Sequence, residues 1–282
     1  MVGVYLLKKV FIIFSLIFIF LSGIFIYNKI SLDRKVESEI ISLMIKTESS
    51  DSQNISEERI KKLPAPVRKY LKYSGALDKR TVRFARLKQT GEIRPNGEKW
   101  IGFYAEKYMS SYGFIWKAKA LNNIISVRDK FSDGKGGMWI KLFSSYTIAD
   151  VQGKEIDISS LLRLISEMAI IPSLYLNNKI HWRKINSHSA GISYKDWDLN
   201  VSGIINFNDS GEIISFSTDE RYMFKNGINV KERWTVKLSD YRDFSGFKVA
   251  TKAEAVWNLL AGDMPYVKVD ITEIEYDVLK IY

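Results

Sequence analysis

The longest apolar pattern lies near the start of the chain. Val10 to Tyr27 reads VFIIFSLIFIFLSGIFIY, 18 residues without a charge, bordered by Lys8, Lys9 and Lys29. About 20 apolar residues carry a helix across a bilayer core, and Tyr27 suits the interface. The run exceeds the apolar part of a usual signal peptide, and no small-residue cleavage site follows it. The pattern predicts an uncleaved transmembrane anchor over residues 1–30. Lys8 and Lys9 favour a cytoplasmic N-terminus, while Lys29, Arg34 and Lys35 pull the other way.

A second pattern follows. Val36, Ile40, Leu43 and Met44 recur at helical spacing and mark one face of a stalk. Thr47–Ser56 is polar and reads as a linker. Residues 31–56 are thus predicted to be helical stalk and linker. Asn54 or Ser56 can cap a short helix over Glu57–Leu63, which Pro64 ends. Pro66 suits the first turn of the next helix, and Gly75 closes it.

From Arg80 the period shortens to two. Val82–Leu87, Trp100–Tyr108, Phe114–Ala120, Ile124–Phe131 and Met138–Phe143 read as strands separated by Gly, Asn, Asp and Ser. Asn96-Gly97 and Asp133-Gly134 are turn signals. One apolar helix interrupts them. Ser159 or Ser160 can cap it, Leu161, Leu162, Ile165, Met168 and Ala169 give its spacing, and Pro172 stops it. Seven further strands are predicted near His181–Ile185, Gly191–Tyr194, Leu199–Phe207, Glu212–Tyr222, Val230–Tyr241, Phe247–Trp257 and Pro265–Tyr276. The predicted fold is α+β. A large curved antiparallel sheet, a half-barrel, wraps a buried helix within one domain over residues 57–282. Such a sheet offers an apolar concavity suited to a hydrophobic ligand.

Composition narrows the chemistry. There is no cysteine, so disulfides, thiolate metal sites and a cysteine nucleophile are excluded, and only His181 and His188 could serve a histidine-based mechanism. No cofactor or metal is predicted. The net charge of +10 is spread without a run of five basic residues, which argues against nucleic acid as a partner. Gly134-Lys135-Gly136-Gly137 lacks the phosphate-loop pattern and reads as a β-turn. Ser187–Ser189 around His188 read as a polar loop without nucleophile context. Asp196/Asp198 and Glu273/Glu275 are paired carboxylates at i, i+2, the first at a hairpin tip and the second on the wet face of a strand.

Arg128 and Asp129 adjoin in a strand, so they face opposite sides of the sheet. An inward Arg128 would need a buried partner, and Glu167 on the apolar helix is the natural one. A structural ion pair is the simpler reading of that pair, and a headgroup or carboxylate site the sharper one. Five tryptophans, Trp116, Trp139, Trp182, Trp234 and Trp257, either pack the core or line a cavity.

Leu63-Pro64-Ala65-Pro66-Val67-Arg68-Lys69-Tyr70-Leu71 with Gly75 resembles the LP-x-P-V-x-x-Y-L…G opening of a family of uncharacterised bacterial membrane-anchored proteins. Gly113–Ala118, Arg128-Asp129, Asp133–Gly136, Glu167 before Ile171-Pro172, Trp182, Arg221-Tyr222, Trp257 and Gly262-Asp263 extend the resemblance to about Tyr276. That family implies no catalytic residues. The predicted architecture also resembles the periplasmic lipoprotein carriers of the LolA kind, in which a half-open sheet cups an acyl chain. That resemblance implies an extracytoplasmic domain. It departs from those carriers in having its own membrane helix, which favours local lipid handling over shuttling.

Together these readings predict a non-catalytic, membrane-anchored protein of the bacterial envelope that binds a lipid or other hydrophobic ligand in the concavity. Trp116, Arg128, Glu167, Arg221 and Tyr222 would be its ligand-binding residues. The alternatives are an envelope interaction protein with a filled core, and a hydrolase of unread mechanism.

Overall fold

The computed structural model describes residues 2–48, 54–95 and 98–282. The Asn96-Gly97 turn and residues 49–53 of the polar linker lie outside the described residues. The first element is a single helix, α1 (Val2–Glu48), of 47 residues. At 1.5 Å per residue it is about 70 Å long. Its apolar run is wholly unburied, with a mean hydropathy of 2.8. Further along, Leu32, Val36, Ile40, Leu43 and Met44 are buried. The predicted helical face is therefore present, and the stalk lies against the domain.

Two short helices follow. Ser56 caps α2 (Glu57–Ile60), accepting from the Arg59 backbone N–H at 3.3 Å. In α3 (Ala65–Tyr73) Pro66 occupies the first turn. Beyond it Gly75 takes φ +70°, where a Cβ would stand 2.5 Å from the Gly246 carbonyl oxygen.

The first six strands are β1 (Phe84–Ile93), β2 (Ile101–Ser110), β3 (Gly113–Ala120), β4 (Ile125–Ser132), β5 (Lys135–Leu142) and β6 (Tyr146–Val151). Helix α4 (Lys154–Glu167) comes next, then two short 3₁₀ turns, Met168–Ile170 and Pro172–Leu176. The chain returns as β7 (Ile180–Lys184), β8 (Ser189–Asp196), β9 (Leu199–Phe207), β10 (Ile213–Lys225), β11 (Ile228–Phe244), β12 (Phe247–Leu259) and β13 (Gly262–Tyr276).

All thirteen described strands form one antiparallel sheet in the order β6-β5-β4-β3-β2-β1-β13-β12-β11-β10-β9-β8-β7. The first and last strands pair at its centre, Ala85 opposite Tyr276 through Ile93 opposite Val267. Two meanders thus extend from the middle. Right-handed strand twist curls so broad a sheet, and α4 bridges both wings by packing on β4, β5, β9 and β10.

Two details differ from the sequence reading. Strand β6 has no clear alternation and was not predicted, because its Tyr146, Thr147 and Ile148 are exposed at a sheet edge. Helix α4 begins at Lys154, not at Ser159 or Ser160. Gly153, at φ +121°, turns the chain and its carbonyl accepts from Ile156 and Asp157. Ser159 and Ser160 instead lie inside the helix, buried against the sheet.

The two sheet faces have separate cores. On the concave face, Leu161, Leu162, Leu164 and Ile165 of α4 meet Phe114, Phe131, Tyr194 and Phe216. Tyr70 of α3 reaches the Ala169 carbonyl at 3.0 Å, and Tyr276 reaches that of Ile170 at 2.9 Å. On the outer face, the buried stripe of α1 meets Phe84, Tyr108, Ile115 and Trp139.

Candidate functional site

Strand alternation decides where the predicted site residues go. Asp129 pairs across from Trp116 and faces inward; Arg128 pairs across from Lys117 and faces outward. The expected Arg128–Glu167 pair is therefore corrected. Arg128 Nε lies 3.2 Å from Oε2 of Glu39 on α1, and its Nη1 donates to the Gly137 carbonyl at 2.7 Å. Lys130 donates to the other Glu39 oxygen at 2.7 Å. Burial pushes the Arg128 guanidinium down and Glu39 opposes it. One helix carboxylate thus clamps α1 to two strand cations.

Inside, Glu167 pairs with Lys107 and, at 3.1 Å, with Arg163, which also pairs with Asp129. Burial pushes the fully buried Lys107 ammonium down to about 8, against the pull of Glu167. Burial also pushes the Glu167 carboxyl up, but Lys107 and Arg163 outweigh it and hold it below its usual range. Lys107 lies 4.3 Å above the Phe114 ring, and Arg163 lies 5.0 Å above Trp116. Trp116 donates to Gln89 at 2.9 Å. Arg221 stacks 4.1 Å over Trp234 and donates to the Ser159 carbonyl at 2.6 Å, while the Tyr222 backbone N–H reaches the Ser159 hydroxyl at 3.2 Å. Trp116 and Glu167 share one cluster, Arg221 and Tyr222 grip α4 elsewhere, and Arg128 stands on the other face. The inner charges Lys107, Asp129, Arg163 and Glu167 pair with one another, as burial demands, whereas Arg221 has an aromatic face and a carbonyl in place of a carboxylate.

The concavity where the sequence reading places a ligand holds α4 and the 3₁₀ turns. A cavity of about 530 Å³ lies instead between α1 and the outer face of β2–β5. Its helix wall is Phe25, Lys29, Leu32, Asp33, Val36 and Glu37. Glu106, Lys117, Lys119, Ser126 and Trp139 form the sheet wall, and Asn122, Ile124 and Phe143 the rim. Lys117 pairs with Glu106 at 2.8 Å. Lys119 donates to Ser126 at 3.0 Å, and burial pushes its ammonium down while Asp33 opposes it. The cavity therefore sets apolar side chains beside charged ones of both signs.

Other candidate groups are accounted for. Ser187, His188 and Asp209 form a hydrogen-bonded chain of 2.9 and 2.8 Å across the exposed β7–β8 and β9–β10 loops. A shallower groove of about 330 Å³ on the outer face of β7–β10 is lined by polar side chains such as Arg183, Ser202 and Glu220. Asp196 pairs with Lys179, and Glu273 and Glu275 pair with Lys88 and Arg86 on the outer face. Among the described residues no cluster of His, Asp and Glu could hold a metal ion.

Sequence reasoning missed Glu39, Asp33, Lys107, Lys119 and Arg163. Two had a local signal. Glu39 interrupts the apolar face between Val36 and Ile40, and Arg163 stands four residues before Glu167, the spacing of a helical ion pair.

These features define a class: a broad antiparallel sheet curled around one helix, with the second half of a long N-terminal helix laid on its outer face. Within it, the chain belongs to the family of unknown function DUF6544, which residues 53–269 match. No curated protein matches the chain. Among solved structures it is similar to a DUF1329 family protein from Desulfovibrio piger ATCC 29098, at 10% identity and a TM-score of 0.42, over 77% of this chain and 94% of that one. It is also similar to a LolA superfamily protein from Nitrosomonas europaea, at 8% identity and a TM-score of 0.43, over 74% of this chain and 92% of that one.

Proposed function

We propose that this protein is a non-catalytic binder of a lipid or similar amphipathic ligand, anchored in the membrane by residues 10–27 with its domain outside the cytoplasm. The ligand sits between α1 and the sheet. The observation that carries this reading is the position of the cavity. It begins at Phe25 and Lys29, where the uncharged run ends and the domain begins. A volume of about 530 Å³ falls in the range of small-molecule sites. An acyl chain would lie against Phe25, Leu32, Val36 and Trp139, and its polar head would meet Lys29, Asp33, Glu37 and Lys119.

Native mass spectrometry of the full chain, extracted from its membrane in mild detergent, tests this reading. A bound mass in the lipid range is expected. Ser126→Leu, which fills the sheet wall, should remove that mass and leave the circular dichroism melt in place. No adduct on the wild-type chain, before or after lipid challenge, would overturn the reading. The packed concave face would then favour an envelope interaction protein with a filled core.

A further inference from the structure

We propose that the β3–β4 and β5–β6 turns enter the headgroup layer beside α1, so that the domain rests on the bilayer as well as hanging from it. This rests on the reading of residues 10–27 as a membrane span. Both turns lie at the end of the sheet where the apolar run of α1 finishes. The Asn28 side chain donates to the Ser145 hydroxyl at 3.1 Å, and Phe25 and Lys29 share one cavity with Asn122, Ile124 and Phe143. The opposite turn, β4–β5, meets α1 at Lys46 through Asp133. Strands β4 and β5 therefore run along the helix, and their two ends differ in height by the rise from residue 28 to 46, about 27 Å.

The membrane-side turns carry large apolar side chains without cover. Leu121 is 50% exposed, Phe143 52% and Tyr146 70%, and Ile124 and Ile148 are exposed beside them. Leu121, Phe143 and Ser144 all hold positive φ, as tight turns between adjacent strands require. Isolated exposed apolar residues need no partner, but a group of them continuous with a membrane helix marks an interaction surface. Lys29, Lys119 and Lys141 stand behind them, at the level of lipid phosphates once the tips are immersed. An aromatic and aliphatic tip backed by lysines is the composition that favours an interfacial position.

The chain has no cysteine, so single labels are unambiguous. Leu121→Cys and Phe143→Cys, each carrying an environment-sensitive fluorophore, would be reconstituted as full chains into phosphatidylethanolamine–phosphatidylglycerol vesicles. Phe18→Cys and Glu48→Cys are the references. The expected result is blue-shifted emission at 121 and 143, quenching by a lipid-attached nitroxide near the headgroup, and iodide quenching several-fold weaker than at 48. Position 18 should respond to a deep acyl nitroxide. Iodide access at 121 and 143 equal to that at 48, with 18 still deep, would overturn the proposal and leave the anchor intact. Protection from iodide without nitroxide quenching would show protein covering the tips, and would overturn it too. Iodide access at 18 would overturn the membrane span itself.

Discussion

Arg128 of the sheet and Glu39 of the N-terminal helix face each other at 3.2 Å, both shielded from solvent. Their pairing joins the segment that carries the apolar run to the domain that carries the cavity. Removing one member of a buried pair costs roughly 3–5 kcal/mol, because a charge is left buried and alone. Glu39→Ala should lower the melting temperature of the full chain by roughly 5–10 °C. Differential scanning fluorimetry in detergent measures it, and a loss under about 2 °C would mean that α1 is not docked.

Lys107 makes stability depend on pH. Its folded value is about 8, against an ordinary lysine value of about 10.4 in the unfolded chain. Between those values the unfolded chain binds more protons, so stability rises with pH. At pH 9.5 the relief is about 2 kcal/mol relative to pH 7.5. Above about pH 10 the opposite trend enters, since buried Tyr70 and Tyr175 hold their protons more tightly when folded. Lys107→Met leaves Glu167 paired with Arg163 and should flatten the rise. Chemical denaturation at several pH values, wild type against variant, reads the difference; parallel curves would remove Lys107 as its source.

A chain begun at Ser56 lacks the helix that covers Phe84, Tyr108, Ile115 and Trp139. Such an exposed apolar patch drives self-association. The fragment should bind a hydrophobic dye strongly and elute as oligomers on size exclusion. A monomeric, dye-silent fragment would show that the outer face is stable without α1.

Gly75 closes α3 at φ +70°, and any Cβ there would press on the Gly246 carbonyl 2.5 Å away. Left-handed backbone costs a residue with a Cβ roughly 1–2 kcal/mol before the clash is counted. Gly75→Ala should therefore lower the melting temperature by at least about 3 °C. An unchanged melt would show that the β11–β12 turn yields to the added methyl group.

Sequence and structure each settled different things. The chain by itself determined the apolar run, the helical face at Val36, Ile40, Leu43 and Met44, the start of α2 after Ser56, the helix α3 between Pro64 and Gly75, the apolar helix before Pro172 and twelve of the strands. Each is a local pattern of period or capping, carried by neighbours a few residues apart. The alternation of Arg128 and Asp129 was equally legible, but its direction was not. Facing is set by which partners lie above and below the sheet, and Glu39 and Arg163 are 89 and 34 residues away in sequence. The same holds for the cavity. Phe25 and Trp139 line one cavity only because the helix stripe buries itself on the outer face. The concavity looked open in sequence because periodicity shows that a face is apolar, not what covers it. Only the tertiary structure decided that α4 fills the inside while α1 roofs the outside, since two apolar faces of one sheet must each find a partner.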